Sequence, residues 1–476
     1  MCNNSTVKKI DKNWSIDGLD DKTYYFYSYD EVMSVLNGDY CFVLGRKGSG
    51  KSALFTHIKQ ISLQTNFYSE SLSLKNIPKK TKNNHKVNLD FYELWKTLIY
   101  HKICKMLSIN QSITLKGVNE LNQVLGYDNW CLDSFNLGIL NILKLGFSNK
   151  KINTNISFEE TSNAFESFVI QNCDYDSTYY IVFDELDLDY NDVRQLKNGE
   201  TYHDVILALL RAVVDIKKMA EKHNFKIIPI AFLRDDIFNQ LKFSDKNKYI
   251  EKSLFINWTP KTLKQLLTYR IIHSDHKIIG KDFKAAMNSI FDTNLNIDEV
   301  FRTIIDLSQN RPRDIIMYIK TCCHLAVQNQ KDFIDHEIMK IAEISYTDSL
   351  KQEIIDEFFP VFNKYEDLFS LLTGLNQIFT FQEFRTQLEE HQEQFNLLKN
   401  YNANQLIELL FDYNIIGYIS HKERMSKDCY KYMEKNLTFN YNSSIVVHPG
   451  LRNHIHRFYS IIDERHSYLL NYSQYY

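Results

Sequence analysis

The sequence predicts an α/β fold, in which a three-layer αβα core with a parallel sheet is followed by a helical lid and a C-terminal winged-helix-like domain. Apolar, β-rich runs alternate with helical patterns across residues 40–260, which is typical of a parallel sheet covered on both faces. The chain then becomes mostly helical, and near its end several helices precede a β-like pair. The predicted domains are 1–260, with a helical insertion at about 108–156, then 261–345 and 346–476.

Composition agrees with several helix-rich domains. The chain has 476 residues, of which 44% are hydrophobic, so the usual size range gives about three domains with extensive cores. Only 14 glycines and 6 prolines occur, which argues against a turn-rich all-β array. The formal net charge of −3 does not indicate nucleic-acid binding by the chain as a whole, although a local basic face remains open.

Cysteine usage and hydropathy predict a cytoplasmic protein. The 8 cysteines form no C-x-x-C pair and show no zinc-like spacing, which favours reduced, buried thiols. The N-terminus lacks the apolar core of a signal peptide. No apolar run reaches the length of about 18 residues that a membrane span needs, so we expect no membrane association.

Individual elements follow from periodicity and caps. Helices are predicted at 29–36, 91–107, 157–171 and 202–223, and strands at 40–44, 66–74, 179–183, 225–233 and 253–258. Further along, helices are predicted at 263–272, 301–307 and 310–327, and the β-like pair at 413–420 and 437–447. Residues 75–86 form a basic stretch, for which a solvated loop and a phosphate contact are the two interpretations.

The octapeptide GRKGSGKS at residues 45–52 fits the phosphate-binding loop of nucleoside triphosphatases, the P-loop. Its glycines let the backbone wrap around a phosphate chain, while the N–H groups of the loop and of the following helix point at the anion. Lys51 would reach the β- and γ-phosphates, and the Ser52 hydroxyl would bind Mg²⁺. A chance glycine-rich turn is the alternative. The predicted nucleotide-binding residues of the loop are Gly45, Arg46, Lys47, Gly48, Ser49, Gly50, Lys51, Ser52 and Ala53.

A pair of adjacent carboxylates supplies the next part of the chemistry. In IVFDELD, Asp184 follows a predicted buried strand and would hold the Mg²⁺ shell directly or through water. Glu185 would polarise the attacking water. The pair favours ATP hydrolysis in a motor- or switch-type ATPase over transfer to a small molecule, and an ordinary acidic turn is the alternative. Asp187 we expect to face solvent or to cap a helix.

A third candidate is Arg234, which ends the apolar run FKIIPIAFL. Ligand contacts in open parallel sheets lie at the carboxyl ends of strands, so this arginine could sense the γ-phosphate and stabilise charge during cleavage. A salt bridge to Asp235, Asp236 or another local acid is the alternative. The predicted catalytic residues are therefore Lys51, Glu185 and Arg234.

A fourth candidate is the segment NRPR at 310–313. Pro312 is suited to the first turn of a helix, and a rigid helix start could place Arg311 or Arg313 against the phosphates. An ordinary capped helix with solvated arginines explains the pattern equally well. We therefore count Arg311, Pro312 and Arg313 as candidate nucleotide-binding residues.

In this order, the motifs resemble those of a poorly characterised bacterial P-loop ATPase family near the AAA+ and STAND ATPases, with kinship to the origin-recognition/Cdc6 type. The resemblance rests on GRKGSGKSA, IVFDELD, AFLRDDIF, the INW-TP segment at 256–263 and NRPRDII. It covers about 25–326, and the C-terminal part more loosely. It implies ATP and Mg²⁺ as cofactors, with Walker A at residues 51–52 and Walker B at 184–185.

The resemblance also implies roles for the arginines. Arg234 would be a sensor 1 arginine, and Arg311 or Arg313 a sensor 2. The chain departs from the pattern at Asn310, which stands where the G-x-P of STAND proteins has glycine. No arginine finger can be assigned, and Arg211 is a weak candidate for one.

The leading functional hypothesis is an ATP-driven conformational switch. Closure around ATP would reposition the C-terminal domain or create an oligomer surface, and hydrolysis would reset it. Such a protein would regulate a protein partner or effector, for example a nuclease, and a homo-oligomer is one possible form. The resemblance implies a setting in anti-phage defence loci.

The alternative hypothesis is ATP-dependent DNA binding through the C-terminal winged helix. It is motivated by basic residues in or beside the predicted wing, whose phosphate contacts would give a salt-dependent affinity. A solvated wing or a protein–protein surface explains the same residues. They are Lys422, Arg424, Lys427, Lys431 and Lys435.

Overall fold

The structure, a computed structural model, describes residues 5–18, 27, 30–74, 90–110, 158–187, 202–278, 282–359, 362, 365–391, 401–422, 425–434 and 436–455. The chain divides into two compact units. We call Asp17–Asn257 the sheet unit, and Met1–Ile16 together with Trp258–Tyr476 the helical unit. The basic stretch 75–86 and the insertion from residue 111 onward lie outside the described residues. The three predicted domain ranges stay predictions.

Strands and helices alternate in the sheet unit, as the sequence predicts. The first helix of the chain, α1 (Thr6–Asn13), belongs to the helical unit. The sheet unit then contains α2 (Asp30–Leu36), β1 (Phe42–Leu44), α3 (Lys51–Ile61), β2 (Phe67–Leu72), α4 (Phe91–Ile109), α5 (Phe158–Asn172), β3 (Thr178–Phe183), α6 (Tyr202–Lys222), β4 (Lys226–Leu233), α7 (Asp235–Gln240), α8 (Lys246–Glu251) and β5 (Ser253–Phe255).

The five strands form one sheet in the order β2-β3-β4-β1-β5, and every neighbouring pair is parallel. Strands β1 and β3 are buried along their whole length, and β4 is buried after its first residue. Burial on both faces explains why these segments are continuous apolar runs instead of alternating ones. The predicted parallel sheet is therefore confirmed, and the carboxyl ends of β3, β4 and β1 lie side by side.

A shared core fixes the helices on the sheet. Trp95 of α4 is fully buried, and its indole N–H donates to the Val205 carbonyl of α6 at 3.1 Å. The same ring meets Phe183 of β3 edge-on, with the ring centroids 6.0 Å apart. Helix α4 begins at a cap, because the Asp90 side chain accepts from two backbone N–H groups of its first turn. The strand ends that carry the candidate residues are thus held by a rigid scaffold.

The helical unit continues with helices from residue 260 onward. They are α9 (Pro260–Ser274), α10 (Phe283–Asn288), α11 (Ile297–Leu307), α12 (Pro312–Gln328), α13 (His336–Phe358), α14 (Tyr365–Thr373), α15 (Phe381–His391), α16 (Ala403–Asp412) and α17 (Pro449–Ile455). Helices α9, α11 and α12 agree with the helices predicted in these regions. Helices α9 and α11 begin a few residues earlier than predicted. The Thr259 side chain extends α9 by capping it reciprocally with Thr262.

Helix α1 packs within the helical unit, although the sequence predicts no helix there. Val7, Ile10 and Trp14 are buried, and the Lys9 ammonium lies 2.7 Å from the Asp275 carboxylate. The segment TVKKIDKN has 8 residues and few apolar side chains, so it is too short to predict a stable helix on its own. Tertiary contacts supply the stabilisation that local sequence does not.

The C-terminal part of the described chain contains an antiparallel sheet. Its strands are β6 (Ile378–Phe379), β7 (Ile416–Lys422), β8 (Met425–Cys429) and β9 (Ile445–Val447), in the order β6-β9-β7-β8. The predicted segments at 413–420 and 437–447 do pair, because β7 and β9 are antiparallel neighbours with Ile416 opposite Val447. The structure differs in two ways. The polar strand β8, which shows no apolar alternation, pairs with the other edge of β7, and β9 is limited to Ile445–Val447 because the chain turns before it at Asn440, whose side chain accepts from the Asn442 N–H.

The structure also describes the burial of the cysteines and the hydropathy of the helices. Among the described residues, five of the six cysteines are buried and all six are free thiols. Burial raises the pKa of Cys41 to about 11 and that of Cys173 to about 12, so both thiols stay protonated at neutral pH. Within the described ranges, no helix is long and apolar enough to cross a membrane.

Candidate functional site

The predicted phosphate loop lies between β1 and α3, with the strand before it and the helix after it as expected. Gly48 and Gly50 have φ angles of +78° and +99°, in the left-handed region that favours glycine. At Gly45 a Cβ atom would lie 2.6 Å from the Ser49 hydroxyl oxygen, so that hydroxyl would have to move. The backbone at Gly48 and Gly50 therefore favours glycine, and the loop has the form of a cradle that opens at the start of α3.

Lys51 begins α3, and its ammonium turns back over the loop. Its Nζ donates to the Gly45 carbonyl at 2.7 Å and to the Arg46 carbonyl at 2.9 Å. Burial lowers the pKa of Lys51, while the nearby carboxylates of Asp187, Asp235 and Asp184 act in the opposite direction. A triphosphate would supply the negative charge that this partly buried ammonium lacks at close range.

The carboxylate pair follows β3 at the neighbouring strand end. The backbone N–H of Asp184 donates to the Leu72 carbonyl of β2 at 3.2 Å, which continues the sheet ladder by one residue. Burial raises the pKa of the Asp184 carboxyl, and the Glu185 N–H and the Lys51 charge act against that rise. Glu185 has φ +54°, an uncommon conformation for a residue with a long side chain.

Arg234 follows β4, which lies between β3 and β1 in the sheet. Its side chain makes the salt bridge that the sequence offers as an alternative: Nε and Nη2 donate to the two carboxylate oxygens of Asp236 at 3.0 and 2.6 Å. Its Nη1 also lies 3.8 Å from Asp187 Oδ2. Asp187 therefore lies beside this charged group with 35% of its side chain exposed, and the expectation that it faces solvent or caps a helix stays a prediction.

Asp235 is a residue of this group that sequence reasoning used only as a salt-bridge partner for Arg234. Burial and the neighbouring Asp236 carboxylate raise its pKa, and the charges of Arg46 and Lys51 act against that rise. The signal that identifies Asp184 also applies here, because Asp235 likewise follows a buried strand at the carboxyl edge of the sheet. Electrostatic coupling to two loop residues places it beside the candidate phosphate site.

Mg²⁺ fits the residues that the sequence proposes for it. Ser52 and Asp184 offer hydroxyl and carboxylate oxygens, the hard ligands that Mg²⁺ prefers, and a nucleotide phosphate ordinarily supplies further ones. A cation beside Asp184 would favour the charged form that burial opposes. No cluster of three or more His, Cys, Asp or Glu side chains suited to a metal occurs within the described residues.

Ala53, the last predicted loop residue, lies in the first turn of α3 against the N-terminal segment of the sheet unit. A Cβ atom on Gly18 would lie 2.9 Å from the Ala53 backbone nitrogen, and the Thr56 hydroxyl donates to the Gly18 carbonyl at 3.3 Å. The close approach of the two backbone segments explains why residue 18 is a glycine.

The predicted candidates Arg311, Pro312 and Arg313 belong to the helical unit, where Pro312 is the first residue of α12. Arg311 is only 1% exposed, and its guanidinium bonds to Asp314 at 2.9 Å and to Glu357 at 2.8 Å. Although burial lowers its pKa, the nearby carboxylates raise it more, so Arg311 remains charged. Arg313 is less buried and lies 3.3 Å from Glu353. Arg311 thus joins the start of α12 to the end of α13.

Comparison with known families matches one part of the chain. Residues 261–355 match the family described as the FunZ-associated C-terminal helical domain. This range contains α10, α11 and α12 and almost all of α9 and α13. Among curated proteins there is no significant match.

Comparison with solved structures finds similar chains at low identity. The Aeropyrum pernix ORC1 protein in complex with DNA is 10% identical, with a TM-score of 0.38 and coverage of 92% of this chain and 91% of that one. The Aeropyrum pernix ORC2 protein in ADPNP–ADP complexes is 10% identical, with a TM-score of 0.42 and coverage of 90% and 94%. Cdc6p from Pyrobaculum aerophilum is 12% identical, with a TM-score of 0.33 and coverage of 90% and 94%. At these values no functional statement follows from the similarity.

The structure predicts unequal effects for the two arginines of the NRPR segment. Arg311→Ala would leave the buried carboxylate of Asp314 without its cation, so we expect the helical unit to lose about 3–5 kcal/mol of stability. Arg313→Ala removes a partly exposed ion pair and should cost about 1 kcal/mol or less. Chemical denaturation followed by circular dichroism measures both. Equal losses in the two variants would contradict the structural role of Arg311.

Proposed function

We propose that this protein binds ATP with Mg²⁺ and hydrolyses it, and that occupancy of the nucleotide site switches its interaction with a protein partner. The observation that carries the proposal is the convergence of three motifs at one edge of the sheet. The phosphate loop follows β1, the carboxylate pair follows β3 and Arg234 follows β4, and these strands are neighbours in the order β3-β4-β1. This edge is where open parallel sheets bind ligands.

Each candidate residue would act on a different part of the triphosphate. Lys51 would exchange its two carbonyl acceptors for β- and γ-phosphate oxygens. Ser52 and Asp184 would hold Mg²⁺, which when bound neutralises charge on the β- and γ-phosphates. Glu185 would orient the attacking water and take up its proton. Arg234 would stabilise charge on the γ-phosphate, and its ion pairs with Asp236 and Asp187 hold it at the strand end.

Hydrolysis is favoured over transfer to a small molecule. An adjacent carboxylate at Glu185, directly after the proposed Mg²⁺ residue Asp184, suits the activation of water. The helical unit offers a means of reporting the nucleotide state, as expected of a switch. The assignment of Arg311 or Arg313 to the nucleotide stays a prediction. Of the two, Arg313 is the better candidate, because Arg311 is held by carboxylates of its own unit.

The C-terminal part favours a protein partner over duplex DNA. In a winged helix, α16 would hold the position that enters a DNA groove. Residues 401–421 contain no Lys or Arg, and the exposed face of α16 presents Glu408 and Asp412. Lys431 of the predicted wing donates to the Leu437 carbonyl at 2.6 Å, while Lys427 is exposed. The expected groove-facing helix therefore lacks the cations that bind phosphates.

A protein partner or effector and a homo-oligomeric state stay predictions of the switch hypothesis, and a role in anti-phage defence stays a prediction of the sequence resemblance. A switch of this kind would alter an effector's activity only in one nucleotide state. Light scattering in the presence and absence of ATP would reveal an oligomer that depends on the nucleotide.

The first test is Lys51→Ala. Removing the ammonium deletes the charge proposed to bind the β- and γ-phosphates, so ATP affinity should fall by about 100-fold or more, as for a lost charge-assisted contact. Isothermal titration with ATP and Mg²⁺ measures this. Lys226→Ala, at the exposed first residue of β4, serves as a control that also removes one positive charge from the sheet unit, at the amino end of the strand. Equal affinities in both variants would contradict the proposed loop.

The second test is Glu185→Gln. The amide keeps the size of the side chain but cannot take up a proton, so phosphate release should fall by about 100-fold or more while ATP affinity changes little. Phosphate release and nucleotide binding are measured on the same preparation. Turnover equal to that of the wild type would rule out Glu185 as the residue that activates water.

DNA binding is tested by a mobility-shift assay at low salt, with and without ATP. We expect no shift that depends on ATP, because α16 lacks basic residues. A shift that requires ATP, weakens steeply between about 50 and 200 mM salt and is reduced by Lys427→Ala would instead establish the DNA-binding alternative.

A further inference from the structure

The turn that carries the carboxylate pair, Asp184–Asp187, has a backbone that ordinary local preference does not favour. Glu185 has φ +54°. Seven described non-glycine residues have positive φ, and five of them are Asn or Asp, whose short polar side chains tolerate this region. Glu185 has no such advantage. Its conformation must therefore be imposed by the contacts of the residues on either side of it.

Hydrogen bonds hold the turn on both sides of Glu185. Before it, the Asp184 N–H donates to the Leu72 carbonyl at 3.2 Å. After it, the Leu186 side chain is 1% exposed, and the Leu186 carbonyl accepts a hydrogen bond of 2.5 Å from the Tyr202 hydroxyl. Asp187 then faces Arg234. The carbonyl of Leu186 lies one residue beyond Glu185, so Tyr202 acts at the point where the turn would otherwise relax.

Tyr202 is itself rigidly placed. It is the first residue of α6 and is 1% exposed. Three residues later in the same helix, the Val205 carbonyl accepts from Trp95 of α4, whose ring also packs on Phe183 at the end of β3. The Tyr202 phenol therefore connects α6, which is packed against the sheet, to the turn that follows β3. Because Tyr202 is 17 residues from Glu185, no local sequence motif indicates this contact.

We propose that Tyr202 is a positioning residue for ATP hydrolysis: its hydroxyl holds the Leu186 carbonyl, and through it keeps Glu185 directed at the attacking water. The inference rests on the proposed function, because it assigns Tyr202 to the reaction in which Glu185 acts. Without the hydroxyl, the buried Leu186 carbonyl loses its hydrogen-bond donor, and the turn is free to leave the left-handed conformation. The phosphate loop is unaffected, so ATP binding should persist.

The test compares Tyr202→Phe with the matched control Tyr180→Phe. Tyr180 of β3 is also buried, and its hydroxyl donates to the Leu36 carbonyl at 3.0 Å. Each variant therefore loses one bond from a phenol to a main-chain carbonyl in the sheet unit, but only one of them loses it at the turn. We expect kcat to fall about tenfold in Tyr202→Phe, as for the loss of one buried hydrogen bond, with an unchanged dissociation constant for ATP. Tyr180→Phe should keep the wild-type kcat.

A second readout separates positioning from a general loss of structure. In the Glu185→Gln background, Tyr202→Phe should lower kcat by less than twofold, because the group that it positions is already inactive. An undiminished tenfold effect in that background would overturn the proposal. So would equal kcat values in the two Phe variants, or a Tyr202→Phe protein that fails to fold where Tyr180→Phe folds, since the phenol would then be structural.

Failure of the proposed function would give a different experimental result from failure of the positioning role. It would appear as wild-type phosphate release no faster than that of Lys51→Ala, before either Phe variant is considered. In that case Glu185 has no hydrolytic role and the assignment of Tyr202 falls with it. Wild-type hydrolysis that Tyr202→Phe leaves unchanged overturns the positioning role alone.

Discussion

The parallel pairing of β3, β4 and β1 is the constraint on which the candidate site depends. Because parallel strands end at the same edge, residues that follow each strand become neighbours however far apart they are in the chain. Lys51, Asp184 and Arg234 meet in this way, although more than 100 residues separate the first from the other two. The apolar runs that form these strands are therefore functional as well as structural, since burial of β1, β3 and β4 places the polar residues at their ends.

Cations withdrawn from water are held at short range in both units, but by different kinds of partner. In the sheet unit, Lys51 bonds to carbonyls and is surrounded by carboxylates at a greater distance, so its charge is incompletely matched. Arg311, in the helical unit, is matched by Asp314 and Glu357 within 3 Å. A buried cation held by neutral acceptors is suited to recruit an anion, whereas one held by carboxylates joins helices. The partners of a cation therefore indicate more clearly than its sequence motif whether it is a candidate ligand-binding residue or a structural one.

Much of the fold could be predicted because its signals are local. The glycine-rich loop, the buried strands and most of the described helices have the residue types and spacing that their conformations need. Helix α1 and strand β8 could not be predicted, because their segments are polar and they form through contacts with distant elements. The same applies to the site: Asp184 and Glu185 follow an obvious strand, whereas the participation of Asp187 depends on Arg234, which comes from another strand.

Local sequence specifies which chemical groups are available: a phosphate loop, a carboxylate pair after a buried strand, and arginines at later element boundaries. Which of these groups are neighbours depends on how the strands and helices pack. This packing pairs Arg234 with Asp236 and Asp187, encloses Arg311 among carboxylates, and places the Tyr202 hydroxyl on the turn beside Glu185. The physical reason is that hydrogen bonds and ion pairs depend on distances of about 3–4 Å through space. Local patterning specifies strands and helices, but such distances between remote segments exist only once the elements have packed.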